Sequence, residues 1–209
     1  MKVVAINGSP KEHGNTFTAI RAVCEQLEAE NIACEIVHIG NKSIRGCIAC
    51  GQCGKNRNGK CVLPGDEVND CVQKIKEADG LILGSPVYFS AIAGTLKCFL
   101  DRAFYVAGVN GGLFRHKVGV SVVADRRAGA VPTYNQLNNY INYAEMFMPS
   151  SNYWNVAYGT LPGEVAQDLE GMQIMRILGK NMAWLLKTKA ASPIPLPEYE
   201  KKTMFSFIR

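Results

Sequence analysis

Residues 2–16, KVVAINGSPKEHGNT, set a short β-branched apolar run against a loop of glycine, proline, hydroxyls and charge. Lys2–Ile6 reads as a buried first strand, and Asn-Gly-Ser-Pro ends it. A helix is expected from Asn15–Thr16 to about Glu30, because Ile20, Val23, Cys24 and Leu27 then share one face. The loop between is rich in anion-binding chemistry. Gly8 permits a sharp exit from the strand, Ser9 and Thr16 offer hydroxyls, Lys11 offers a cation, and the first amides of the helix point back at the loop. Together they form a phosphate cradle. It is not a Walker A loop, since five residues rather than four separate Gly8 from Gly14 and Asn15 stands where a lysine is needed. The G-x-G-x-x-G dinucleotide fingerprint is also absent.

Beyond this unit the chain keeps alternating. Cys34–Ile39 is the second expected strand, and Asp66–Glu77 is a helix with Val68, Cys71, Val72 and Ile75 as its apolar stripe. Gly80–Gly84 is the third strand, followed by a helix through Leu96, Phe99 and Leu100, and Lys117–Val123 is the fourth. A helix from about Tyr134 to Phe147, a fifth strand within Asn152–Tyr158 and a long helix from about Val165 to Lys187 complete the pattern. Such alternation predicts an α/β fold: a flavodoxin-like, doubly wound, five-stranded parallel sheet of order 2-1-3-4-5. The 209 residues, 47% hydrophobic, suffice for one core and are too few for two. One domain is therefore expected over residues 1–190, with a proline-rich extended tail over 191–209.

Composition excludes several partners. The net charge of +5 is spread over many lysines and forms no block, so no nucleic-acid partner is expected. Without a bilayer-length apolar run or the features of a signal peptide, the expectation is a cytoplasmic protein with no membrane partner. Cytosolic thiols stay reduced, so no disulfide framework is expected, and Cys24, Cys34, Cys71 and Cys98 read as buried small hydrophobes.

In sheets of this kind ligands bind outside the carboxyl ends of the strands. Ser85–Ser90, SPVYFS, puts a proline and two aromatics there, a flat apolar wall suited to a ring system such as isoalloxazine. The stretches NGSPKEHGNT, GSPVYFSAIAGTLKCFLDR and DRRAG together resemble the FMN-binding NAD(P)H-dependent reductases of flavodoxin fold, and with the cysteine loop they resemble most the iron–sulfur flavoproteins. The resemblance runs from Lys2 to about Lys187. It implies that Ser9, Lys11, Asn15 and Thr16 hold the FMN phosphate and that Pro86, Val87, Tyr88 and Phe89 line the ribityl chain and ring. Arg126, Arg127 and Gly129 would approach the pyrimidine edge, where amides and cations stabilise the charge of reduced flavin. Lys97, Asp101 and Arg102 also match the pattern and read as ion pairs on a helix face.

The cysteine loop, RGCIACGQCGKNRNGKC at residues 45–61, places Cys47, Cys50, Cys53 and Cys61 as C-x2-C-x2-C-x7-C. The first three have the close spacing that wraps one corner of a cubane, and four thiolates complete a ligand set for a [4Fe-4S] cluster. Arg45, Lys55, Arg57 and Lys60 would offset its negative charge. Structural zinc on the same thiolates, and free thiols serving as packing, remain open alternatives. The three histidines, His13, His38 and His116, have no partner spacing and receive no catalytic role; no other catalytic side chain is assigned, because flavin carries its own chemistry. Trp154 and the tail aromatics Phe205 and Phe207 are candidates for contacts in a homo-oligomer, a dimer or tetramer. Two functions follow: an electron carrier between a ferredoxin-type donor and a protein or small-molecule acceptor, or an NAD(P)H-dependent reductase of quinones, nitro compounds or flavin in which the cysteines are incidental.

Overall fold

The computed structural model describes residues 1–200, 202–205 and 207–208; Lys201, Ser206 and Arg209 of the expected tail lie outside the described residues. The described residues form six strands: β1 (Lys2–Asn7), β2 (Ala33–His38), β3 (Gly80–Tyr88), β4 (Ala91–Ile92), β5 (Val118–Asp125) and β6 (Val156–Tyr158). The helices are α1 (Asn15–Ala29), α2 (Gln52–Asn56), α3 (Val68–Glu77), α4 (Gly94–Val109), α5 (Ala130–Tyr143) and α6 (Leu169–Ala191), with a 3-10 turn at Glu164–Gln167 before the last. The sheet order is β2-β1-β3-β5-β6, and every pairing along that path is parallel. This differs from the expected numbering because β4, a two-residue strand the sequence reading did not contain, folds back antiparallel on β3. The five parallel strands alone keep the expected order.

Period-2 alternation sends the sheet's apolar residues to two separate layers. Val4, Ile6, Leu81 and Leu83 face α3, α4 and α5, whereas Val3, Ala5, Ile82, Val120 and Val122 face α1 and α6. Central β5 is buried at all its positions, as a strand covered on both faces must be.

Three boundaries depart from expectation for local reasons. β3 runs on from Gly84 to Tyr88 because β4 pairs with its end. Helix α5 starts at Ala130 rather than Tyr134: Gly129 turns left-handed (φ 99°) ahead of it, and Pro132 fits a first turn that needs few donors. It ends at Tyr143, after which Glu145 turns left-handed and Phe147 pairs beside β5. The long final helix begins only at Leu169, because Asp168 accepts from the Gly171 amide as its cap and from the Tyr158 amide at the end of β6.

One expectation about the cysteines is overturned. Cys24 and Cys34 are bonded as a disulfide, because α1 lies along β2 with the two Cα atoms 5.6 Å apart, inside bridging range. Cys71 is buried, and burial pushes its thiol up to about 11, while Cys98 is only half-buried.

The turn joining β3 to β4 has just two residues, Phe89 and Ser90, both left-handed (φ 50° and 59°), as a primed hairpin turn requires. Neither is glycine, so each holds this conformation at a cost of about 1 kcal/mol. Ser90→Gly is therefore expected to raise stability by about 0.5–1 kcal/mol. A urea midpoint at or below that of the parent would contradict strain at this turn.

Candidate functional site

The carboxyl ends of β1, β2, β3, β5 and β6 meet at one edge of the sheet, where Asn7 is in register with both His38 and Gly84 and Asp125 with Tyr158. Over this edge the loop after β1 is held from below by a side chain the sequence reading passed over. Buried Asn7 accepts from the Ser9 amide (3.1 Å) and donates to the Glu12 carbonyl (3.0 Å), fixing both limbs of the loop. His38 also contributes: its Nε2 lies 2.7 Å from the Ser9 carbonyl, which can only accept, so Nε2 carries the proton. Gly40 closes the cradle from the β2 side, in a position where a Cβ would lie 2.0 Å from the Ser9 carbonyl oxygen.

The four residues assigned to the cradle are brought together on this loop and helix start, in different states. Ser9 is buried, and its hydroxyl oxygen accepts from the Lys11 amide; Lys11 itself is exposed. Thr16 is buried in the first turn of α1. Asn15 is partly engaged elsewhere, accepting from the Val165 amide and so anchoring the chain after β6. Among the described residues no side chain caps α1, whose N-cap is Gly14, so its first-turn amides stay available to an anion.

The aromatic wall is equally particular. Pro86 and Val87 are half-buried in β3, while Tyr88 and Phe89 project into solvent at the hairpin. Gly129 binds this hairpin to the loop after β5: a Cβ there would stand 2.8 Å from the Ser90 hydroxyl and 2.9 Å from Val87. Arg126 and Arg127 are both exposed on that loop. Between them and the sheet lies Asp125, a residue missed in the sequence. It is buried, one carboxylate oxygen accepts from the Arg127 amide (3.1 Å), and the other has no partner among the described residues. An unpaired buried acceptor is costly unless a ligand N–H or hydroxyl reaches it. Uncapped amides, a half-buried apolar wall and this orphan oxygen fit a phosphorylated ring cofactor with donor groups, and FMN has all three features. Asn7 and Asp125 share a signal that could have found them: each is the polar residue that closes an apolar strand.

The cysteine loop follows β2 and is stapled to α3 and α4. Asn110 donates to the Cys53 carbonyl and accepts from the Gly59 amide, and Asn69 pairs with Cys61 through both its backbone groups. Cys47, Cys50, Cys53 and Cys61 all line one small cavity of about 20 Å3. Cys47 and Cys50 are exposed, Cys53 is buried and Cys61 is half-buried. Among the described residues no three of the His, Cys, Asp or Glu side chains converge closely enough to form a finished metal cage. Ala49 and Arg57 are left-handed there without being glycine, a strain typical of functional loops. The Ala49 amide donates to the Cys47 sulfur. Burial pushes the Cys53 thiol up, and the Gly54 amide works against that shift.

Of the three residues read as a helix-face cluster, Lys97 and Asp101 do form an exposed i,i+4 pair, joined by the Tyr140 hydroxyl. Arg102 does not belong to it. Its side chain is wholly buried and lines the cysteine cavity, where it forms an ion pair with Asp66. Burial opposes its charge, and the Asp66 carboxylate and the Cys61 sulfur outweigh that, so its pKa stands above the usual value. Arg45, Lys55, Arg57 and Lys60, the expected counter-charges, are all exposed.

Comparison with known proteins agrees with this edge. Residues 1–160 match the family described as NADPH-dependent FMN reductase. An iron–sulfur flavoprotein of Methanocaldococcus jannaschii is 36% identical over 90% of this chain and 98% of its own. Among solved structures, a WrbA-like flavodoxin of Agrobacterium tumefaciens superposes with a TM-score of 0.62 at 16% identity, over 90% of this chain and 97% of its own. An NAD(P)H:quinone oxidoreductase of Methanothermobacter marburgensis gives 0.63 at 16%, over 87% and 96%. These two share the flavodoxin-like fold. No helix among the described residues is long and apolar enough to cross a membrane. The family match over residues 1–160 and the 36% identical relative lead to one conclusion: the chain belongs to the NADPH-dependent FMN reductase family and is a flavin-dependent oxidoreductase.

Proposed function

We propose that the chain is an iron–sulfur flavoprotein, an electron-transfer protein that uses FMN together with a [4Fe-4S] cluster on Cys47, Cys50, Cys53 and Cys61. The observation that carries the reading is that these four cysteines all line one cavity beside a buried arginine. The donor set is all sulfur, which suits an iron–sulfur cluster. The cavity is smaller than a cubane, so the exposed Cys47–Cys50 turn is the part that would yield to admit one. FMN exchanges electrons in pairs or singly, and a cluster relays them singly.

The chain's own residues do the binding. Ser9, Lys11, Asn15, Thr16 and the first amides of α1 would hold the phosphate, and Pro86, Val87, Tyr88 and Phe89 would flank the ribityl chain and ring. Arg126, Arg127 and Gly129 would approach the pyrimidine edge, and Asp125 would accept from a cofactor N–H or hydroxyl. The electron donor is proposed to be reduced nicotinamide or a ferredoxin-type protein. The exposed Tyr153–Trp154 pair supports a subunit contact in a homo-oligomer.

The test is iron and acid-labile sulfide per FMN in protein purified without oxygen, with Cys50→Ala alongside. About four of each per flavin is expected in the parent. The variant should lose them while keeping its FMN, since Cys50 lies outside the phosphate loop. Stoichiometric FMN without iron would instead support a cluster-free NAD(P)H-dependent reductase of quinones or nitro compounds.

A further inference from the structure

Arg102 sits where no helix-face residue should. Its Nη1 donates to the Arg45 carbonyl (3.1 Å) and its Nη2 to the Leu63 carbonyl (3.2 Å), while both nitrogens meet the Asp66 carboxylate. Arg45 stands just before Cys47 and Leu63 just after Cys61. One guanidinium thus ties together the two ends of the cysteine loop. Its Nε is buried and has no hydrogen-bond partner among the described residues.

An unmet donor on a buried cation is expensive in a finished protein site. The cavity's other polar side chains are Tyr105 and four cysteines, and of these a cysteine sulfur is the group that can be anionic and satisfy a cationic donor. We infer that Arg102 is the positioning residue of the cysteine pocket: its fork sets the loop ends, and its buried charge favours the more negative, reduced form of the cluster held there. This rests on the iron–sulfur reading of the loop. Uptake of one electron adds one negative charge and breaks no bond, so a cation nearby raises the reduction potential. The exposed loop cations act through solvent and are screened by salt, whereas Arg102 acts in a drier setting.

The experiment compares anaerobically purified parent, Arg102→Lys, the charge-neutral pair Arg102→Met with Asp66→Asn, and Lys55→Gln with Lys60→Gln. The paired variant avoids leaving a lone buried charge. Iron and sulfide per FMN are measured, and the cluster potential is read by a spectroscopic redox titration. FMN at the parental ratio reports that each variant has folded. Arg102→Lys is expected to lose at least half its iron per flavin, because an ammonium cannot span both carbonyls. The cluster that remains in the paired variant should titrate at a lower potential than the parent. The two-lysine variant should match the parent in both. Full iron and an unshifted potential in the Arg102 variants, beside a cluster-bearing parent, would overturn this inference alone. A parent that contains no iron would overturn the iron–sulfur reading and this inference with it.

Discussion

Gly40→Ala is expected to yield a protein that no longer retains its flavin. The added methyl would point at the backbone of the phosphate loop, 2.0 Å from the Ser9 carbonyl oxygen and 2.6 Å from the Gly8 carbonyl carbon. Atoms cannot approach so closely, and the atoms that must yield belong to backbone rather than to a flexible side chain. Ser9 is held by Asn7 on one side and His38 on the other, so it cannot retreat without breaking those bonds. The cradle would open. We expect FMN affinity to fall at least about 100-fold, equivalent to about 2.7 kcal/mol, with about 1–3 kcal/mol of stability lost to overpacking. Fluorescence titration of the apoprotein with FMN would measure the first and urea denaturation the second. Affinity within a few-fold of the parent would show that the loop does not depend on close contact with β2.

Asp66→Ala should be the most destabilising single change in the cysteine region. Asp66 is the only carboxylate bonded to the buried Arg102 guanidinium among the described residues, and it also accepts from the Val68 amide at the start of α3. Removing one partner of a buried pair strands the other, a loss of about 3–5 kcal/mol. The lost bond from the Val68 amide adds to this. Against a typical domain stability of about 5–15 kcal/mol, the variant should unfold at a visibly lower urea concentration. Asp66→Asn keeps an acceptor for the Val68 amide and should fall between parent and alanine variant. A loss below about 1 kcal/mol for Asp66→Ala would show that Arg102 is not left stranded and that the Arg45 and Leu63 carbonyls suffice for it.

The contrast between Lys97 and Arg102 explains what the sequence conveyed and what it withheld. Lys97 and Asp101 are four apart and meet on an exposed face, as helical spacing requires. Arg102 follows Asp101 directly, which turns it about 100° around the helix and into the core. A charge at a core-facing position carries no pattern that reveals its partner when that partner, Asp66, comes from a distant loop. The disulfide escaped for a similar reason: Cys24 and Cys34 were assigned to the right elements, and only their packing brings the sulfurs together. The hairpin at Phe89–Ser90 is not visible in the sequence because neither residue is the Asn, Asp or Gly that a primed two-residue turn favours. By contrast, the strands at the core of the sheet were legible because their apolar runs need no tertiary context.

The fork of Arg102 also orders events during synthesis. Both ends of the cysteine segment depend on a side chain that lies well downstream, on α4. As the ribosome extends the chain, the four thiols emerge first and wait, unshielded, until that later helix has been made and has docked. Their pocket therefore cannot close before α4 (Gly94–Val109) has been made and has docked, and the proposed cluster would enter only after that helix is in place.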